Sequence, residues 1–229
     1  MKKVQFPVFI ILIGLFLSGC PEPTRHTDCS IVVTFSDACM EETIRNEIDK
    51  PEGDICLCDV KSITSLYIYY SCAYDLPGIE NLTSLKYLYL GADTVNDISA
   101  LAGLTSLQEI IARENNIPDI SALAGLTSLK SLELSACNIS DISALAGLTS
   151  LKSLKLQNKD ISDISALAGL TSLKTIYLSD NSISDISPLL ANKGINEHDE
   201  VYLRNNPLND DSINIYIPAL EARGVDVRY

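Results

Sequence analysis

Leu-Thr-Ser-Leu begins at Leu82, Leu104, Leu126, Leu148 and Leu170, always 22 residues after the previous copy. Self-similarity at a fixed period constrains a fold more than any isolated motif. A degenerate copy precedes the series, where Val60, Ile63, Leu66 and Ile68 keep the phase, and a looser one follows from Val201 to Leu208. The first half of each unit alternates apolar and polar residues, as in Leu132-Glu133-Leu134, which is the period of a strand with one buried face. The second half places Ile142, Leu145 and Leu148 at threes, the spacing of a tight helical turn or an irregular arc. Asp97, Asp119, Asp141, Asp163 and Asp185 recur just before this arc, where a carboxylate can accept the backbone N–H groups that open the turn.

One unit cannot bury its apolar side alone. Stacked units make a parallel sheet over one continuous core, so the predicted fold is an α/β solenoid. Leu88, Ile110, Leu132, Leu154 and Ile176 form one interior row, and Leu90, Ala112, Leu134, Leu156 and Leu178 another. Adjacent strands lie ~4.8 Å apart, so six of them span roughly 24 Å. At the far end, Asp211 or Ser212 can start a capping helix carrying Ile213, Ile217 and Leu220. Gly224 stops it, and Val225-Asp226-Val227 reads as a final short strand.

The chain opens differently. Lys2 and Lys3 precede an apolar run from Phe6 to Leu17, too short to span a bilayer, which needs ~20 helical residues. The run fits a secretory leader. Its end, Leu17-Ser18-Gly19-Cys20, resembles the lipobox of bacterial lipoproteins, which implies cleavage before Cys20 and lipidation of that thiol. The competing reading is an ordinary leader with an incidental Cys20. Pro21-Glu22-Pro23-Thr24 reads as a short extended tether. Residue Pro21 stands where some enteric lipoproteins have an Asp that signals inner-membrane retention, so an outer-membrane or cell-surface position is expected.

The repeat resembles the leucine-rich repeats of the internalin family of bacterial surface proteins. The 22-residue period and the Ile-Ser-Asp-Ile-Ser-x-Leu half match over about residues 60 to 191. The resemblance implies a horseshoe with the sheet on its concave face, short convex arcs and terminal caps. Phe35-Ser36-Asp37 leads into a predicted helix bearing Met40, Ile44 and Ile48 at i, i+4 and i+8, similar to the internalin N-terminal cap. The expected organisation is a leader over 1–19, lipidated Cys and tether over 20–33, a helical, Cys-rich cap over 34–59, six repeats over 60–191, and a degenerate repeat with C-terminal cap over 192–229. The position that in this family is usually an Asn bonding backbone between coils reads Ser71, Asp93, Asn115, Cys137, Lys159 and Asn181. Lys159 departs from the pattern; Asn158 could take its place, or the lysine could snorkel outward. Neither a sortase motif nor wall-binding modules are recognisable, which leaves the lipid as the expected anchor.

Besides Cys20 there are six cysteines. Cys137 falls in the ladder row and is expected as a buried thiol. Cys29, Cys39, Cys56, Cys58 and Cys72 crowd the N-terminal cap, and export permits one or two disulfides there with one cysteine left over. Zinc at Cys56-x-Cys58 is disfavoured by its one-residue spacing. His26 and His198 stand apart from any convincing nucleophile, and no H-E-x-x-H or glycine-rich phosphate loop is present, so no catalytic, cofactor or metal site is expected. Calcium on the aspartate column is disfavoured because ligands one coil apart give each ion too few oxygens. The formal charge is −13, and without Lys2 and Lys3 the 15 remaining bases face 30 acids. Nucleic acid is thereby excluded as a partner, and a cationic or neutral one is expected.

Outward strand positions define the face that could bind. The first column is Thr64, Lys86, Gln108, Lys130, Lys152, Lys174; the second is Ser65, Tyr87, Glu109, Ser131, Ser153, Thr175. The third is Tyr67, Tyr89, Ile111, Glu133, Lys155, Tyr177, continuing to Tyr202. The next two begin Tyr69, Gly91, Arg113 and Tyr70, Ala92, Glu114, so five of the ten tyrosines sit on the first two strands. Tyrosine and arginine are enriched at interface hot spots because they join large rigid area to a polar tip. The expected partner site is Tyr67, Tyr69, Tyr70, Tyr87, Tyr89 and Ile111, rimmed by Glu109, Arg113 and Glu114. The rival reading packs these tyrosines beneath the cap or credits them to strand propensity. Glu133 beside Lys155 is expected to be an ion pair of small value. The leading function is a monomeric, non-catalytic module that binds a protein and touches the membrane only through its lipid. A periplasmic or envelope scaffold and a carbohydrate-binding lipoprotein are the alternatives.

Overall fold

The computed structural model describes residues 30–35, 37–68, 76–91, 95–135, 137–157 and 160–229. Among them, eight strands form one parallel sheet in strict chain order: β1 (Ser65–Ile68), β2 (Tyr87–Leu90), β3 (Glu109–Ala112), β4 (Ser131–Glu133), β5 (Ser153–Lys155), β6 (Thr175–Tyr177), β7 (Glu200–Tyr202) and β8 (Asp226–Arg228). The register aligns Leu66, Leu88, Ile110, Leu132, Leu154, Ile176, Val201 and Val227 side by side, so the first interior row runs the length of the sheet. The second row, Leu90 to Leu178, is equally buried and continues to Leu203. The period is 22 residues from β1 to β6, then lengthens by three at β7 and by four at β8.

The convex side is built from short 3-10 turns such as Ser99–Leu101 and Ser143–Gly147, and from helix α3 (Ser187–Ala191) in the sixth coil. Each turn is opened as the aspartate column requires. The backbone N–H groups of Ser99, Ser121, Ser143, Ser165 and Ser187 donate to the aspartate two residues earlier at 2.7 or 2.8 Å. Those hydrogen bonds hold the carboxyls of Asp97 and Asp141 below the usual range.

Between coils, buried side chains complete the backbone bonding. Asn181 accepts from Ile161 N–H and donates to the Leu156 carbonyl at 2.7 Å; Asn115 and Asn206 act likewise. Cys137 donates its thiol to the Ala112 carbonyl at 3.2 Å, and burial pushes its pKa up to about 11. Ser71, Asp93, Asn158 and Lys159 lie outside the described residues.

At the N-terminal end, helix α1 (Ala38–Glu47) starts where Asp37 accepts from the Cys39 and Met40 N–H groups, and Met40 and Ile44 face the core with Ile48 partly buried. A single helical turn, α2 (Leu57–Val60), leads into β1. Cys39 and Cys56 each take part in a disulfide, while Cys58 is a thiol; Cys20, Cys29 and Cys72 lie outside the described residues. Gly78 lets the first coil meet the cap closely. Its φ is +102°, and a Cβ there would fall 2.5 Å from the Phe35 ring.

The C-terminal cap departs from expectation. Residues Ser212–Tyr216 form a π-helical turn before helix α4 (Ile217–Glu221). The extra residue in such a turn breaks the i, i+4 pattern. Ile217 and Leu220 are buried, but Ile213 faces solvent, and Ser212 takes the inward position, donating to the Ser184 carbonyl and accepting from Ile186 N–H. The last strand is Asp226–Arg228, one residue later than Val225 to Val227.

Candidate partner-binding face

The sheet register turns the third outward column into one continuous line: Tyr67, Tyr89, Ile111, Glu133, Lys155, Tyr177, Tyr202 and Arg228. Because in-register strands are ~4.8 Å apart, side chains in this line touch their neighbours. Three linked groups result.

The first group holds the sequence-predicted tyrosines. Tyr67 and Tyr89 stack with ring centroids 4.6 Å apart and planes 2° from parallel. The Tyr89 hydroxyl donates to Glu109 at 2.7 Å, and that bond, with desolvation, pushes its pKa up to about 12. Tyr67 is 46% exposed and Tyr87 38%, so neither packs beneath the cap. Ile111 is half-buried beside Tyr89. Tyr69 and Tyr70 lie outside the described residues.

The second group differs from expectation. Glu133 is only 7% exposed and lies between two cations, Arg113, which donates from Nε and Nη2, and Lys155 at 3.3 Å. Burial alone would raise its carboxyl pKa; the Arg113 hydrogen bond and both positive charges outweigh burial and hold it below the usual range. A buried carboxylate fixed from both sides is more than a surface ion pair, because losing either partner leaves charge in a poorly solvated place. Arg113 therefore reaches the centre of the column. Glu114 sits in a left-handed turn at φ +57°, exposed, with its N–H donating to the Ser135 carbonyl. Arg113, Glu114, Glu133, Ser135, Lys155, Gln157 and Tyr177 line a depression of about 460 Å³, where the small Ser135 lowers the floor.

The third group joins two tyrosines of the same column that the sequence alone does not mark as a site. Tyr177 and Tyr202 stack at 4.2 Å. Lys155 Nζ lies 5.4 Å from the Tyr177 ring centre, and the Arg228 guanidinium lies 4.9 Å from that of Tyr202, both cation–π distances. The Tyr177 hydroxyl beside it pushes the Tyr202 pKa up to about 12. The register across the 25-residue step to β7 sets the two tyrosines side by side, as the column implied; that their rings stack is the new observation.

The comparisons with known proteins agree with this architecture. The family model described as Leucine Rich repeats (2 copies) matches residues 105–147 and 149–191. The chain is a leucine-rich-repeat solenoid. It is similar to an internalin, inlF, from Listeria monocytogenes, at 32% identity and a TM-score of 0.74 over 85% of this chain. The solenoid spans only 56% of that structure. A second Listeria monocytogenes protein, internalin C2, aligns at 27% identity and a TM-score of 0.62, covering 84% of this chain and 94% of the other. A plant peptide hormone receptor, RGFR1, in complex with RGF2, shares the fold at 18% identity and a TM-score of 0.54, over 66% of this chain and 26% of that one. Comparison with curated proteins gives no match. Among the described residues of the solenoid, no helix is long and apolar enough to cross a membrane, and no cluster of potential metal ligands occurs.

Proposed function

We propose that this solenoid is an exported, lipid-anchored protein of the bacterial cell envelope that binds a protein partner through its concave sheet, without catalysis. The observation that carries the reading is the Tyr67–Tyr89 stack with Tyr87 and Ile111 beside it: large rigid side chains held open to solvent on regular strands. Interface hot spots draw on such residues because little entropy is lost when they are covered. The proposed site is Tyr67, Tyr87, Tyr89 and Ile111 with Glu109, extended by Tyr69 and Tyr70, with Glu114 at its margin and Arg113 linking it to the central depression. Export and lipidation at Cys20 rest on the basic start, the short apolar run and the Leu17-Ser18-Gly19-Cys20 ending.

Stacking disfavours the carbohydrate alternative. Sugar recognition by aromatics uses open ring faces. In both tyrosine pairs the facing surfaces cover one another, so edges and hydroxyls are what a ligand mainly meets.

Substituting Tyr67→Ala and Tyr89→Ala together should abolish capture of the cellular partner, a loss of about a thousandfold at ~2 kcal/mol per hot-spot residue, with little change in the thermal melt. Unaltered capture by the double variant would discard this site.

A further inference from the structure

We infer that the partner presents an acidic protein surface, its carboxylates seated along a row of lysines at the N-terminal margin of the concave sheet. The inference rests on the concave-face reading above and adds the chemistry of what binds there. Lys86, Gln108, Lys130, Lys152 and Lys174 occupy one position in five consecutive coils. Backbone hydrogen bonds of 2.7 or 2.8 Å run from each N–H to the carbonyl of the preceding member, which places the side chains side by side. All four lysines are exposed. Lys174 is paired with the buried Asp199 at 3.1 Å, and Lys130 Nζ donates to the Gln108 side-chain Oε1 at 3.0 Å. Among the described residues, Lys86, Lys130 and Lys152 make no ion pair.

The carboxylates on the strands make no ion pair with Lys86, Lys130 or Lys152, and each has another partner. Glu109 accepts from Tyr89, Glu133 holds Arg113 and Lys155, Glu200 accepts from Tyr202, and Asp226 holds Arg228. The repeating acids Asp97 to Asp185 belong to the convex turns. Charge is thus segregated: the molecule is −13 overall, yet this margin offers unmatched cations. Whole-chain charge pointed to a cationic or neutral partner, and the local arrangement points the other way. Within a Debye length of ~8 Å at physiological salt, nearby lysines outweigh acids on the far side of the coil. Like charges one coil apart repel, and a carboxylate between them removes that cost.

The carboxylates of a protein fit better than the sulfates of a polysaccharide. Tyr87 and the stacked tyrosines adjoin the row and ask for apolar contact that a protein provides together with carboxylates. A sulfated polysaccharide has no side chains to lie against the tyrosines, and its higher charge density meets stronger repulsion from the acidic remainder of the molecule.

The test uses the purified full chain with three probes, poly-L-glutamate, poly-L-lysine and heparin, at physiological salt. Poly-L-glutamate should bind, and Lys130→Glu/Lys152→Glu should weaken it about tenfold and flatten its salt dependence. Lys193→Glu, an exposed charge reversal away from the sheet, should have little effect, and all variants should melt with the parent. Preference for poly-L-lysine, equal weakening by Lys193→Glu, no change in the lysine double variant, or heparin binding as tightly as poly-L-glutamate would each overturn the inference. Tyr67→Ala/Tyr89→Ala should still bind poly-L-glutamate. If the lysine variant retains the cellular partner while the tyrosine variant loses it, the lysine row is refuted and the concave-face reading stands.

Discussion

Gly194→Ala will lower the melting temperature by ~4–8 °C, as expected for a loss of ~2 kcal/mol in a chain of this size, while Gly169→Ala will leave it nearly unchanged. A Cβ on Gly194 would lie 1.9 Å from the Thr171 carbonyl oxygen and 2.5 Å from the Thr171 Cα. Both neighbours are backbone, so no flexible side chain can yield. The contact is set by Asn192, which is fully buried, donates to the Leu167 and Leu170 carbonyls, and accepts from Gly194 N–H at 2.9 Å. Gly169 occupies a regular repeat, where an added Cβ meets nothing within 4 Å. Because each coil touches mainly its neighbours, the damage should fall on the last two strands. Differential scanning calorimetry with hydrogen exchange will read both effects. An Ala variant at 194 as stable as the parent would mean the longer sixth-to-seventh coil is not packed as described.

Asn181→Ala should cost ~2–4 kcal/mol, because a buried donor and a buried acceptor lose their partner at once. Its amide donates to Leu156 and Leu178 carbonyls, and its oxygen accepts from Ile161 N–H. None of these groups can turn to water, since the neighbouring coils cover them. Cys137→Ala, at the equivalent position, should cost less, because a thiol is a weak donor. Chemical denaturation of the two variants will rank them. A larger loss at Cys137 would contradict the view that amide bonding between coils dominates there.

The regular part of the fold was legible because burial on a strand alternates with period two and the coil repeats every 22 residues, so each leucine confirmed the others. The N-terminal helix was legible from Met40, Ile44 and Ile48 with Asp37 ahead of them. Deviations appeared where local geometry leaves the period. Ile213 faces solvent because a π turn adds a residue, and nothing in Ser212 to Tyr216 announces that turn. Tyr177 and Tyr202 stood in one column despite three extra residues between β6 and β7, but a column does not show ring orientation, so the stack itself was not legible. Glu133 looked like half of a surface pair because burial of an outward position depends on what leans over it, here Arg113. The lysine row was visible as a column, but summed charge concealed its meaning, since a net value averages opposite faces of one coil.

The most direct test of the concave-face claim is site-specific photocrosslinking in living cells, with the photoreactive residue at Ile111 on the sheet or at Ser143 on the convex turn. The account predicts a discrete protein adduct from position 111 that disappears in the Tyr67→Ala/Tyr89→Ala background, and none from position 143. An adduct formed only from the convex position, or one from position 111 indifferent to both tyrosines, would contradict it.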